Sequence, residues 1–127
     1  MRRAAAVFLT ITALALGACE SQTSFDAPAQ QFVPQGGQLA LKISGHLDET
    51  VIDNTGDETV TIMIDDQIAA IGGFESKKGV ADASFIGAFR GAKVTVHCTG
   101  SPSGKGYVCD IQLGAQHAAT LAFSSQL

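Results

Sequence analysis

Two cysteines on either side of a Gly- and Ser-rich turn constrain this chain more than any other feature. Val94-Thr95-Val96-His97-Cys98 and Cys109-Asp110-Ile111-Gln112-Leu113 each alternate apolar and polar residues, the period of a half-buried strand. If Cys98 stands opposite Cys109 on adjacent antiparallel strands, Val96 faces Ile111 and Val94 faces Leu113, and all six residues share one apolar face. Thr95 with Gln112 and His97 with Asp110 then form the other face. A slip of one residue would reverse the facing of an entire strand. Cysteine placement, alternation and the 101–106 turn therefore agree on one hairpin. The same logic reaches backward through a two-residue turn at Gly91-Ala92, with Gly at its first central position. That turn sets Arg90 against Lys93, Phe89 against Val94, Gly87 against Val96 and Phe85 against Cys98, and leaves room beside the sulfurs at Gly87. Phe85, Phe89, Val94, Val96, Ile111 and Leu113 are predicted to be buried together.

Short segments rich in Val, Ile, Thr and Phe recur near 38–44, 58–64, 67–74, 84–90, 93–99, 106–113 and 117–123, with an eighth near 47–52. Gly, Asp, Asn and Ser punctuate them, as between strands. No dozen residues carry a helical apolar stripe, and no internal repeat is visible. The pattern predicts an all-β fold, a small antiparallel β-sandwich or barrel of seven to eight strands.

The N-terminus reads differently. Arg2 and Arg3 precede 15 uncharged residues, Ala4 to Ala18. A membrane-spanning helix needs roughly 20 apolar residues, so the run has the length of a secretory signal's apolar centre. It ends in Leu16-Gly17-Ala18-Cys19, which resembles the lipobox of bacterial lipoproteins: an aliphatic residue, two small residues and a cysteine. The resemblance implies cleavage before Cys19 and attachment of diacylglycerol to its thiol. A cysteine bearing two or three chains anchors stably, where a single chain binds only marginally. Glu20 is not the Asp that favours inner-membrane retention in the Gram-negative sorting pattern, so the expected place is the outer membrane, facing the periplasm. With Cys19 modified, Cys98 and Cys109 are the remaining thiols, and outside the cytoplasm such a pair is expected to form a disulfide.

These readings divide the chain into a signal peptide over 1–18, a lipidated cysteine with a flexible tether over 19–37, and an all-β envelope domain over 38–127. Pro, Gly, Gln and Ser dominate the tether segment, and a coil of that length spans on the order of 20–25 Å. Cleavage leaves six basic against twelve acidic residues, a net charge of −6. Such a chain has no electrostatic footprint for nucleic acid and is weakly repelled by anionic lipid. Membrane lipid is therefore engaged through Cys19 rather than through the protein surface.

Candidate chemistry is sparse. The stretch from Gly100 to Gly106 has three residues between Gly100 and Gly104, Gly106 after Lys105 and a strand beyond, which is a hairpin turn rather than a phosphate-binding loop. His97, Cys98, Cys109 and Asp110 cannot converge on a metal, because neighbours on a strand point to opposite faces. His97 and Asp110 read as a surface pair. Asp53-Asn54-Thr55-Gly56-Asp57-Glu58 reads as a solvated acidic turn whose oxygens could also serve calcium, without the helix-loop motif's spacing. Asp65-Asp66 is a second turn. His46, His97 and His117 lie in no nucleophile motif, and no catalytic residue, metal or cofactor is expected. The sequence thus points to a non-catalytic binding or assembly adaptor with a protein partner in the envelope. An alternative is an inhibitor of a soluble ligand or enzyme: Ser103-Gly104-Lys105-Gly106-Tyr107 resembles the Ser-Gly-x-x-Tyr stretch of small β-barrel lysozyme-inhibitor lipoproteins, although the tryptophan that follows in that family is absent.

Overall fold

Leu41, Ile43 and Leu47 hold every-second-residue positions in one stretch, and Val60, Ile62 and Ile64 do so in the next. In the computed structural model, which describes residues 20–37, 39–77 and 82–125, this alternation becomes the inner face of a sheet. Eight antiparallel strands follow one another: β1 (Glu20–Phe32), β2 (Leu41–Ile52), β3 (Thr55–Ile64), β4 (Gln67–Lys77), β5 (Asp82–Phe89), β6 (Ala92–Gly100), β7 (Tyr107–Leu113) and β8 (Gln116–Phe123). They form two four-stranded sheets, β1-β2-β3-β4 and β5-β6-β7-β8, each a meander. The inner faces meet over one core. Ile43, Leu47, Val60 and Ile62 come from the first sheet, and Val94, Val96, Ile111 and Leu121 from the second, all fully buried.

The β6–β7 register is the expected one: Cys98 pairs with Cys109, Val96 with Ile111 and Val94 with Leu113. The sulfurs of Cys98 and Cys109 meet at bonding distance. Phe89, Val94, Val96 and Ile111 are buried, and Phe85 and Leu113 pack against them while partly buried. The β5–β6 register departs by two residues. Phe89 faces Ala92, Gly87 faces Val94 and Phe85 faces Val96. The turn is Arg90-Gly91, both with positive φ (48° and 79°), the type I′ geometry that matches strand twist. A shift of two keeps every side chain on its expected face. The space at Gly87 serves the other sheet rather than the sulfurs: a Cβ there would stand 1.9 Å from the Ala69 carbonyl oxygen of β4.

The flexible tether expected over 19–37 is a further departure. Glu20–Phe32 is an edge strand, paired with β2 from Glu20↔Ile52 to Phe32↔Leu41. Its ladder shifts between Ala27 and Gln30, so Pro28 falls in a bulge, where a residue without an N–H is tolerated. Among its side chains only Ala27 is buried, and Phe25 and Phe32 pack at the margin of the core. Backbone pairing, not apolar burial, holds most of this strand.

The two sheets also touch along both edges. At one, the Gln30 side chain acts as an extra ladder rung to β8: its Nε2 donates to the Thr120 carbonyl (2.6 Å) and its Oε1 accepts from the Thr120 N–H (3.2 Å). At the other, the β4 and β5 backbones close on each other at Gly87. Ile68, Ile71 and Ile86 stand exposed on the outer faces of those two strands.

The sandwich has two distinct ends. The near end carries the start of β1, the Asp53-Asn54 turn, the 101–106 loop and Ser125. The far end carries residues 33–37, 39 and 40 and the turns Asp65-Asp66, Arg90-Gly91 and Gly114-Ala115.

Candidate functional site

At the near end, alternation carries the core-facing positions of β2 and β3 past Leu47 and Val60 into Glu49 and Glu58. These glutamates are direct cross-strand partners. Both side chains are buried, at 1% and 2% exposure. Like charges facing each other across strands are unfavourable even at a surface, and burial makes two ionised carboxylates untenable. The surroundings answer this. The Tyr107 hydroxyl on β7 donates to Glu58 Oε1 (3.2 Å) and meets Ser76 Oγ from β4. Ser125 Oγ donates to Glu49 Oε2 (2.6 Å). Glu58 Oε2 finds no donor among the described residues, and the Glu58 carboxyl interacts with that of Glu49. Two acceptor-only groups cannot bond, so this contact requires a proton on one of them. Burial first, and then the Glu49 carboxyl, push the Glu58 carboxyl up to about 9, against the pull of the Tyr107 hydroxyl. At neutral pH the glutamate pair therefore retains a proton. Burial likewise raises the Tyr107 hydroxyl to about 12. The cluster is a polar plug in the core, with Phe74 packed edge-on against the Tyr107 ring at 5.3 Å.

At the far end the polarity is reversed. Leu41, Phe89 and Leu113 form the floor of an open groove of about 410 Å³, and Pro34, Leu39 and Ala92 form its walls, with Arg90 at the rim. Leu39 is 80% exposed. The Arg90 guanidinium lies 4.7 Å from the Phe89 ring centre and 4.0 Å from Asp65 Oδ2.

The histidines all sit on outer faces beside aspartates. His46 on β2 contacts Asp26 Oδ1 (2.6 Å) and Asp48 Oδ1 (3.0 Å), and Ser24 Oγ donates to Asp48 (2.6 Å). The Asp26 contact, above all, raises the His46 ring, and the Ser24 hydroxyl, above all, lowers the Asp48 carboxyl. His97 and Asp110 are register partners, but their side chains do not form the expected pair. His97 bonds Asp82 Oδ1 (2.8 Å), while Asp110 accepts from Thr120 Oγ1 (2.7 Å) and lies 3.5 Å from His117.

The remaining sequence candidates fall as follows. The 53–58 segment is not one solvated turn: only Asp53 and Asn54 make the turn, with positive φ, and Glu58 lies in the core while Asp57 points outward. Its oxygens therefore do not converge. No group of three or more His, Cys, Asp or Glu side chains able to hold a metal is found among the described residues. The 101–106 loop closes a hairpin through Ser101 N–H to the Gly106 carbonyl (2.9 Å), and the tyrosine of the Ser103–Tyr107 stretch is buried in the plug. Leu16, Gly17, Ala18 and Cys19 lie outside the described residues. Sequence reasoning missed Glu49 and Glu58 as core residues; their phase with Leu47 and Val60 was the available signal. No protein-family model, no curated protein and no solved structure matches this chain.

Proposed function

We propose that this chain is a lipid-anchored envelope module, held by lipid on Cys19 in the outer membrane and facing the periplasm, which binds a protein partner through its far end and catalyses nothing itself. One observation supports the reading: Glu20, the residue after the lipobox cysteine, is paired with Ile52 beside the Asp53-Asn54 turn, so an anchor on Cys19 would sit at the near end. The 13 residues of β1, at a rise of roughly 3.3 Å each, place the groove about 40 Å from the anchored end. An apolar mouth so placed is presented away from the bilayer, where a partner can reach it. The near end, whose polar groups are engaged with one another inside the core, serves as the base.

A photo-crosslinking side chain placed in intact cells at Leu39, and separately at Lys105, tests this. Leu39 should yield a discrete protein adduct and Lys105 adducts to lipid. Protein adducts from Lys105 with none from Leu39 would invert the orientation and overturn the reading.

A further inference from the structure

The identity of the residue at one turn position points to what the groove takes. Three hairpins use two-residue turns with positive φ at both positions: Asp53-Asn54, Asp65-Asp66 and Arg90-Gly91. Asp and Asn tolerate the left-handed region because their short side chains bond locally; a long side chain does not. Arg90 is the exception. Holding it there is unfavourable, and residues kept in sparsely populated backbone regions concentrate at ligand-binding sites. Its placement serves no internal hydrogen bond. Among the described residues the guanidinium makes only a stacking contact with Phe89 and a 4.0 Å approach to Asp65. Asp65 accepts the Lys42 N–H on Oδ1 at 2.9 Å, its Oδ2 stays at 4.0 Å from the guanidinium, beyond hydrogen-bond distance, and Asp66 pairs with Lys42 Nζ at 2.7 Å. The turn thus lays a planar cation over the Phe89 ring in the floor of an apolar groove, with no hydrogen bond from its N–H groups to the described residues. A guanidinium fork matches a carboxylate in geometry and charge. Lys93, next to groove-lining Ala92, adds a second exposed cation to this end of an otherwise acidic chain.

Resting on the binding-module reading above, we infer that the far-end groove recognises a peptide segment in which a large apolar side chain is followed directly by a carboxylate, the apolar group seated on Leu41, Phe89 and Leu113 and the carboxylate on Arg90. A peptide fits better than a free long-chain amphiphile. The groove is open along its side, and binding sites for small ligands enclose most of the ligand's surface. One or two side chains of a larger partner, which brings its own surface, suit it.

The test uses the full-length protein in detergent and a pool of labelled hexapeptides ending in Phe or Leu, made both as free C-terminal acids and as amides, with decanoate as a comparison. The acids should bind at least fivefold more tightly than the amides. Arg90→Asn, which suits the turn better, should raise Tm by a few degrees and bring acid binding down to the level of the amide. Leu39→Ser should weaken both forms. Equal binding of acid and amide, or a difference that survives Arg90→Asn, overturns the carboxylate assignment and leaves the groove as a binding site. Binding of decanoate with neither peptide form overturns the peptide assignment. Failure of all three probes on the folded protein overturns the groove reading as well.

Discussion

The two ends of this sandwich are built from the same alternating strands and have opposite polarity. The near end takes polar groups into the core: Glu49, Glu58, Ser76 and Tyr107 occupy positions that alternation reserves for apolar residues, and Ser125 joins them. The far end leaves apolar groups at the surface, with Leu39, Pro34 and the Phe89 ring edging an open groove. At the near end the polar groups satisfy one another and have little left for an outside ligand. At the far end the apolar wall and the open guanidinium are each incomplete. Burial alone would have marked the near end as the functional one. Asking which groups are open to an outside partner marks the far end, since the near end's one unpartnered oxygen, Glu58 Oε2, is buried.

The contrast can be broken most severely at the plug. Tyr107→Ala removes a fully buried ring and the donor to Glu58, and should destabilise the domain by about 3–5 kcal/mol, measured by urea unfolding. Leu39→Ser, at the far end, should change stability by less than about 0.5 kcal/mol; equal losses would erase the distinction between the ends. Next in size is the link between β6 and β7. Replacing Cys98 and Cys109 together by Ala should lower stability by about 2–3 kcal/mol, largely through the unfolded chain. Because the pair lies within one hairpin, binding at the groove should persist in that variant below its unfolding transition, measured with the same acid and amide peptides.

Another effect has a definite sign. Glu58 rises from an ordinary carboxyl value of 4.5 in the unfolded chain to about 9 in the fold, so between those values the folded state holds a proton that the unfolded state releases. Stability should therefore decline as pH rises from about 4.5 through 9 and level off above. Glu58→Gln, which keeps the shape and supplies N–H donors toward Glu49, should flatten this slope. It should also make the variant the more stable protein at pH 8, measured by urea unfolding at several pH values. A parallel slope in both proteins would show that the pair does not share a proton. His46 acts in a neighbouring window: its raised ring favours the fold below 6.5, and that contribution fades as pH rises through its folded value. His46→Asn should remove only this small component.

Much of the fold was legible because two constraints coincided. For β6 and β7 the alternation and the cysteine spacing over-determined the pairing, and every partner was read correctly. For β5 only the alternation was available. Gly91 could serve as the first or the second turn residue, and the I′ geometry, with Arg90 at positive φ, was the less obvious of the two. Facing survived and register did not, since alternation is blind to a shift of two. β1 was invisible for a different reason. It is an edge strand with only a few apolar residues, with Pro28 in its bulge, and its stability comes mostly from backbone bonds to β2 that no side-chain pattern announces. Glu49 and Glu58 were hidden by their chemistry: acidic residues beside Asp53 and Asn54 read as turn, although their phase placed them inside. The groove could not be read at all. Its lining comes from Pro34, Gly37 and Leu39, the start of β2, the Arg90 turn and the end of β7, and no local signal relates them.

The meander has a consequence in time. Each hydrogen-bonded strand pair is consecutive in the chain, so each pairing closes only a short loop, the kind of contact that forms fast and at small entropic cost. Contacts between the two sheets reach much farther along the chain, as where Gln30 meets Thr120 across 90 residues and Ser125 meets Glu49 across 76. A chain that emerges N-terminus first can zip β1 to β4 hairpin by hairpin, yet the inner face of that sheet, Ile43, Leu47, Val60 and Ile62, has no cover until β5 to β8 arrive. The first half of this protein waits on the second, and during that wait its future core is its stickiest surface.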